Sequence, residues 1–130
     1  MKKIIKPVFS DDRGDIIDIL EGIEIDAVTL ITFTKGAVRA NHYHKETTQW
    51  NYVLKGKVRY VSKKPNEDAV EEFLTKGDFV CSEPFQSHAF EGTEDSNLLI
   101  LTKGPRAGKD YESDTYRLEI PLIKYKEKGV

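Results

Sequence analysis

Residues 36–56, GAVRANHYHKETTQWNYVLKG, decide the fold, together with residues 77–90, GDFVCSEPFQSHAF. In the first stretch His42 and His44 stand two apart, and on a strand residues two apart point to one face. Their imidazoles then converge if that face lines a closed sheet. His88, in the second stretch, is the third and last histidine of the chain. Three neutral imidazole nitrogens from neighbouring strands make a donor set for one divalent transition metal ion, Zn, Fe, Ni, Mn or Cu.

Working outward, Gly14, Gly22, Gly36, Gly56, Gly77, Pro84, Gly92 and Gly104 punctuate the chain at short intervals, and the stretches between them are rich in Val, Ile, Thr, Phe and Tyr. Strands are expected at 15–20, 26–34, 48–54, 57–62, 70–74, 79–82 and 96–102, with a late strand at 116–122. This rhythm predicts an all-β sandwich or barrel of mostly antiparallel strands. Lys55-Gly56 reads as a tight hairpin, with further turns at Pro65-Asn66-Glu67-Asp68 and Lys76-Gly77-Asp78. The polar segments 105–114 and 124–130 read as surface.

The 130 residues suit a single domain, 1–130, with no linker and no internal repeat. Twenty Lys and Arg against 22 Asp and Glu leave a net charge of -2, which argues against nucleic acid as a partner. No apolar run has the length of a membrane span. The lone Cys81 excludes an internal disulfide, and the N-terminus has no signal-peptide pattern, so the expected location is cytoplasmic.

In the first stretch the frame runs Gly36, five residues, His42, one residue, His44, four residues, Gln49, six residues, Gly56, and this resembles the first motif of the cupins. Residues 77–92 resemble the second cupin motif: His88 follows Gly77 by eleven residues as in the family, and Pro84 follows it by seven rather than six. The 20 residues between Gly56 and Gly77 match the spacer of small cupins. The resemblance implies a single jelly-roll antiparallel β-barrel with a metal centre at His42, His44, His88 and Gln49. This chain departs from the family in Gln49, usually Glu, and in Phe85 and Gly92, usually Gly and Asn. A neutral amide leaves a bound ion its full +2 charge, which favours an anionic ligand. Gln49 is either a ligand or a hydrogen-bond partner of a histidine.

DTYRLEIPL (114–122) is similar to the closing strand of polysaccharide-biosynthesis cupins. The F-x-D-x-R-G pattern in VFSDDRGDIIDIL (8–20) is similar to the entry of the cupin epimerases and 3,4-ketoisomerases of nucleotide-linked sugars, and the run VRANHYHK (38–45) to the segment with the paired histidines of the ketoisomerases. In that group a histidine removes a proton α to a keto group, which implies His44 as the base here. His88 is a departure from the ketoisomerases and favours a metallated site. Arg39 is a candidate for binding phosphate, while Arg13 suits a structural place in its turn.

Alternation from Gln49 puts Asn51, a candidate substrate contact, and Val53 on its face, and Trp50, Tyr52 and Leu54 on the other. That outer aromatic face predicts a homodimer, or else a cover by the chain's own N-terminal strand. The expected function is thus a metal-binding isomerase or epimerase of nucleotide-linked sugars in polysaccharide or deoxysugar biosynthesis, acting on an anionic, carbohydrate-derived small molecule. The alternatives are a small three-histidine dioxygenase and a non-enzymatic cupin that binds a sugar or anion.

Overall fold

The computed structural model describes residues 1–105 and 112–125. Among them no helix is long and apolar enough to cross a membrane. The strands are β1 (Lys3–Ile4), β2 (Phe9–Asp11), β3 (Gly14–Ile16), β4 (Ala27–Phe33), β5 (Val38–Tyr43), β6 (Thr48–Lys55), β7 (Lys57–Lys63), β8 (Val70–Thr75), β9 (Asp78–Ser82), β10 (Ser87–Gly92), β11 (Ser96–Lys103) and β12 (Tyr116–Arg117). They form two five-stranded sheets, β1-β9-β6-β11-β4 and β12-β5-β10-β7-β8, plus the small β2-β3 hairpin. Every pairing is antiparallel. The expected all-β jelly roll is what forms.

Several local expectations need correction. β6 and β7 belong to different sheets, so Lys55-Gly56 is a crossing between sheets and not a hairpin. Lys76-Gly77-Asp78 is the turn expected, and it leads from β8 in one sheet to β9 in the other, whereas Pro65–Asp68 closes a hairpin, β7-β8, with Asn66 at φ 62°. Gly56, at φ +89°, makes its crossing because a Cβ there would strike Ser96 and the carbonyl of Asp95.

The strand expected at 15–20 stops at Ile16, since the Phe9↔Ile16 register would bring Pro7, which has no N–H, opposite Asp18. The late strand at 116–122 is only Tyr116–Arg117: beyond it Pro121 lacks a donor, and the Leu122 and Ile123 amides turn to the side chain of Asn41. Asp114, expected at the surface, is buried. Residues 106–111 of that segment lie outside the described residues, as do 126–130 of the closing one.

Between the sheets, period-two alternation creates a gradient of polarity. Leu98 and Val53 are opposite each other across β11 and β6, next come Ile100 and Asn51, and then Thr102 and Gln49. β9 continues these rows with Val80 beside Asn51 and Ser82 beside Gln49. One end of the barrel is therefore a closed apolar core, built from Phe33, Val53, Val58, Tyr60, Leu74, Val80, Phe90, Leu98 and Ile100. The other end is polar and holds the histidines.

Candidate functional site

A bulge in β5 aims the first histidine. His42 pairs with His88 and Ala40 with Ala89, which leaves Asn41 as the extra residue, and Ala40 and Asn41 both adopt positive φ, 72° and 56°. The bulge turns the Asn41 side chain toward the C-terminal segment, where Nδ2 donates to the Ile123 carbonyl (2.9 Å) and Oδ1 accepts from the Leu122 (2.9 Å) and Ile123 (3.1 Å) amides. One buried asparagine thus fastens that segment beside the cavity.

His42, His44 and His88 converge as the spacing predicts. Ring centroids are 4.7 Å apart for His42–His44 and His42–His88, and 5.3 Å for His44–His88. Their ligand nitrogens all lie within 4.8 Å of one another. His44 Nδ1 is 2.8 Å from the Asp114 carbonyl, and His88 Nδ1 is 3.0 Å from the Gln86 carbonyl. A carbonyl only accepts, so each Nδ1 carries the hydrogen and each neutral ring keeps its lone pair on Nε2.

That arrangement fits a divalent ion. Metal-bound histidines ordinarily donate the second ring N–H in this way, and donors about 2.1 Å from one ion stand roughly 3.0–3.5 Å apart, a short contraction from the spacing here. Gln49 borders the same point, with Oε1 3.3 Å from His44 Nε2 and Nε2 3.4 Å from Thr102 Oγ1. A lone pair and an amide oxygen facing each other need a proton, an ion or a reversed amide between them.

Electrostatics keep two of the three rings, His42 and His88, uncharged. Burial, then repulsion by His88, His44 and Arg117, lowers the pKa of His42 to about 2. Burial lowers that of His88 to about 4, against the raising effect of its bond to Gln86 and with a lowering contribution from His44. Asp114 is also buried, which raises its pKa, but hydrogen bonds from the Glu46 amide, the Thr47 hydroxyl and the Lys45 and Thr47 amides outweigh this and hold the carboxyl below its ordinary value. Its side chain therefore braces the 45–47 turn while its carbonyl orients His44.

The histidines open into a cavity of about 390 Å³. Arg39 lines it from β5, with Nε donating to the Thr32 carbonyl at 3.2 Å and the guanidinium 5.5 Å from the Phe33 ring centre. Asn51 lines it too, but its amide nitrogen is tied to the Val80 carbonyl and Ser82 Oγ, each at 3.1 Å. Arg13 is elsewhere, bound to Asp11 at 2.6 Å in the exposed β2-β3 turn.

Sequence reasoning missed two residues of the site, Asp114 and Arg117. Arg117 faces the cavity opposite His42 across the β12-β5 ladder and pairs with Glu112 at 2.8 Å. An arginine in DTYRLEIPL, next to Tyr116, was the available signal, but only the ladder register places it.

Among solved structures, the chain is similar to a double mutant of the 3,4-ketoisomerase QdtA from Thermoanaerobacterium thermosaccharolyticum in complex with TDP. That match has TM-score 0.73 and 25% identity and covers 91% of this chain and 86% of that one. A 3,4-ketoisomerase from Helicobacter canadensis matches with TM-score 0.73 at 22% identity, covering 89% and 90%. The dTDP-4-dehydrorhamnose 3,5-epimerase from Sulfolobus tokodaii matches with TM-score 0.72 at 19% identity, covering 92% and 77%. The last two likenesses are of fold alone. A curated oxalate decarboxylase from Arthroderma benhamiae is 27% identical over 89 residues, which are 68% of this chain. The match spans about a fifth (21%) of that relative's length. The family model for the polysaccharide biosynthesis C-terminal domain matches residues 9–116, from the β2 strand to the first residue of β12, and the chain belongs to that family.

Proposed function

We propose that the chain is an enzyme of nucleotide-sugar modification, an isomerase or epimerase that moves a proton next to a keto group, with His44 as the base. The observation that carries this reading is the pose of His44: its Nδ1–H is held by the Asp114 carbonyl at 2.8 Å, which leaves Nε2 as the basic atom in a cavity lined by Arg39 and Arg117. Nε2 takes the proton from the carbon beside the carbonyl, and the C–H electron pair forms the enediolate. Delivery of the proton to the former carbonyl carbon, with the hydroxyl hydrogen of the first carbon passing to the former carbonyl oxygen, gives the isomerised ketone, and delivery of a solvent proton to the opposite face of the first carbon gives the epimer. Arg39 and Arg117 suit a diphosphate, which guanidinium groups bind through paired hydrogen bonds. The family match and the TDP complex of QdtA support a nucleotide-linked substrate. The lone Cys81 suits a reducing, cytoplasmic setting.

The test is incubation of the purified protein with a panel of 4-keto nucleotide sugars in heavy water, following deuterium entry at the ring. Exchange with at least one member, lost in His44→Asn, supports the reading. No exchange with any of them, with oxygen consumed on a small organic acid, replaces it by the dioxygenase, and tight binding without turnover by the binding protein.

A second reading rests on the donor set itself: His42, His44 and His88 hold one divalent ion with Gln49 beside it. A bound ion would supply Lewis-acid polarisation of a carbonyl oxygen. One lone pair on His44 Nε2 serves either the ion or the proton, so the metallated chain needs a different base. Elemental analysis of protein purified without a metal-affinity tag separates the two.

The proposed assembly is a homodimer joined through the outer face of the β1-β9-β6-β11-β4 sheet. β1 lies at the edge of that sheet, paired with β9, and so does not lie over Trp50 and Tyr52.

A further inference from the structure

Tyr43 lies between two cavity histidines in β5, so its own side chain points to the opposite, outer face of the sheet. There it stacks on Tyr116, its ladder partner, at 5.3 Å and 22°, and on Phe85 at 6.5 Å and 24°. Lys45 Nζ caps the far ring of the stack, 4.3 Å from the centre of Tyr116. The near end is open: Phe85 is 50% exposed.

Phe85 holds φ +65°, the left-handed region that costs an ordinary side chain about 1–2 kcal/mol and a glycine almost nothing. A strained aromatic with half its surface in water gains little for the fold, which points to a use for the ring. Beside it lies a cleft of about 220 Å³ lined by Tyr43, Phe85, Pro65, Lys63 and Ser87. Lys64 is already paired with Glu83 at 3.8 Å, whereas Lys63 has no carboxylate partner among the described residues.

We propose that this outer cleft is a second ligand site, separate from the histidine cavity, for a free nucleotide whose base extends the aromatic stack at Phe85 and whose phosphate meets Lys63. A flat π-face suits the open end of a parallel stack, and the unpaired ammonium group suits the anion. The Ser87 hydroxyl supplies a neutral hydrogen-bonding group.

The test is a titration of the full-length protein with adenosine monophosphate, followed by amide NMR shifts. The expected result is saturable movement of Phe85, Ser87 and Lys63 signals. Binding should weaken roughly tenfold or more in Phe85→Gly, which keeps the backbone conformation, and weaken likewise in Phe85→Ala and Lys63→Gln. Inorganic phosphate and adenosine alone should each bind at least tenfold more weakly. Equal affinity of wild type and the Phe85 variants at these signals overturns the proposal. So does saturation by glucuronate where the nucleotide gives none, or movement confined to the histidine cavity. Because the readout needs no turnover, it stands apart from the isomerase assay.

Discussion

The carbonyl of Asp114 accepts the Nδ1 hydrogen of His44 at 2.8 Å across 70 positions of sequence, while the carboxylate of the same residue accepts from three successive amides, Lys45 to Thr47, and from the Thr47 hydroxyl. One residue of the C-terminal segment therefore fixes both the ring of the proposed base and the turn that follows it. Asp114→Ala leaves three buried or half-buried amide donors without their acceptor. It should destabilise the protein by about 2–3 kcal/mol in urea unfolding. The ¹⁵N shifts of His44 should keep the single Nδ1–H tautomer, because alanine retains the carbonyl. Loss of stability below about 0.5 kcal/mol would refute this.

Acid should weaken the metal-free fold in a defined window. Unfolded, both His42 and His88 take up a proton near the ordinary value of 6.5; folded, they stay neutral down to about 2 and about 4. Between those values and 6.5 the unfolded chain binds more protons, so stability falls as pH falls, by up to about 1.4 kcal/mol per pH unit for each ring. The Asp114 carboxyl, held below its ordinary value, adds loss in the same direction at still lower pH. Urea midpoints measured from pH 7 to pH 4.5 should drop steadily, and His88→Gln should flatten the curve. A flat wild-type profile would show that the rings are not buried as neutral groups.

Glycine positions separate strain from collision. At Gly56, φ +89°, an added Cβ would also meet Ser96 Oγ and the Asp95 carbonyl, whereas at Gly77, φ +92°, nothing lies within 4 Å. Gly77→Ala should cost about 1–2 kcal/mol, the left-handed penalty alone, and Gly56→Ala clearly more. Equal losses would remove the case for a close approach at the β6-β7 crossing.

The convergence of His42, His44 and His88 was legible because it rests on two local signals, the two-residue alternation of a strand and the glycines around the motifs. The inward place of Asn51 and the outward place of Trp50 follow from the same alternation. What stayed hidden depends on register between distant strands. Lys55-Gly56 looks like a hairpin in sequence because Gly supplies the positive φ for either a hairpin or a sheet crossing, and only the pairing of β6 with β9 and β11 decides between them. Arg117 and Asp114 join the site through contacts with residues 41–47, and Asn41 draws in Ile123 from 82 positions away, none of which leaves a local periodicity.

A divalent ion held by the three rings would bind the folded chain far better than the unfolded one. At a hundred times its dissociation constant it should add about 2.7 kcal/mol to unfolding. Unfolding with and without added zinc, with a chelator as the reference, checks this. His42→Ala and His88→Ala should each remove the gain. An unchanged midpoint in zinc, with no metal in the purified protein, would leave His44 Nε2 free as the base.

The outer sheet face supplies the last prediction. Register aligns Leu30, Leu99, Tyr52 and Phe79 in one row across β4, β11, β6 and β9, and Val28, Leu101, Trp50 and Cys81 in the next. Val28 and Leu30 are 64% and 60% exposed, Leu99, Tyr52, Leu101, Trp50 and Cys81 are half-buried and Phe79 is buried, so the open apolar surface lies toward the β4 edge. Two copies placed face to face about a two-fold axis would cover it, and a stable interface needs roughly 800 Å² from each partner. Leu30 has little to lose within one chain, so Leu30→Glu should change monomer stability by no more than about 0.5 kcal/mol. In a dimer the same carboxylate would be buried without a partner, a cost of several kcal/mol that should split the assembly. Sedimentation equilibrium at micromolar concentration should therefore give the mass of two chains for the wild type and of one for Leu30→Glu, with both far-ultraviolet spectra β-rich. A monomeric wild type, or a variant that stays dimeric, would mean that this face is not the interface.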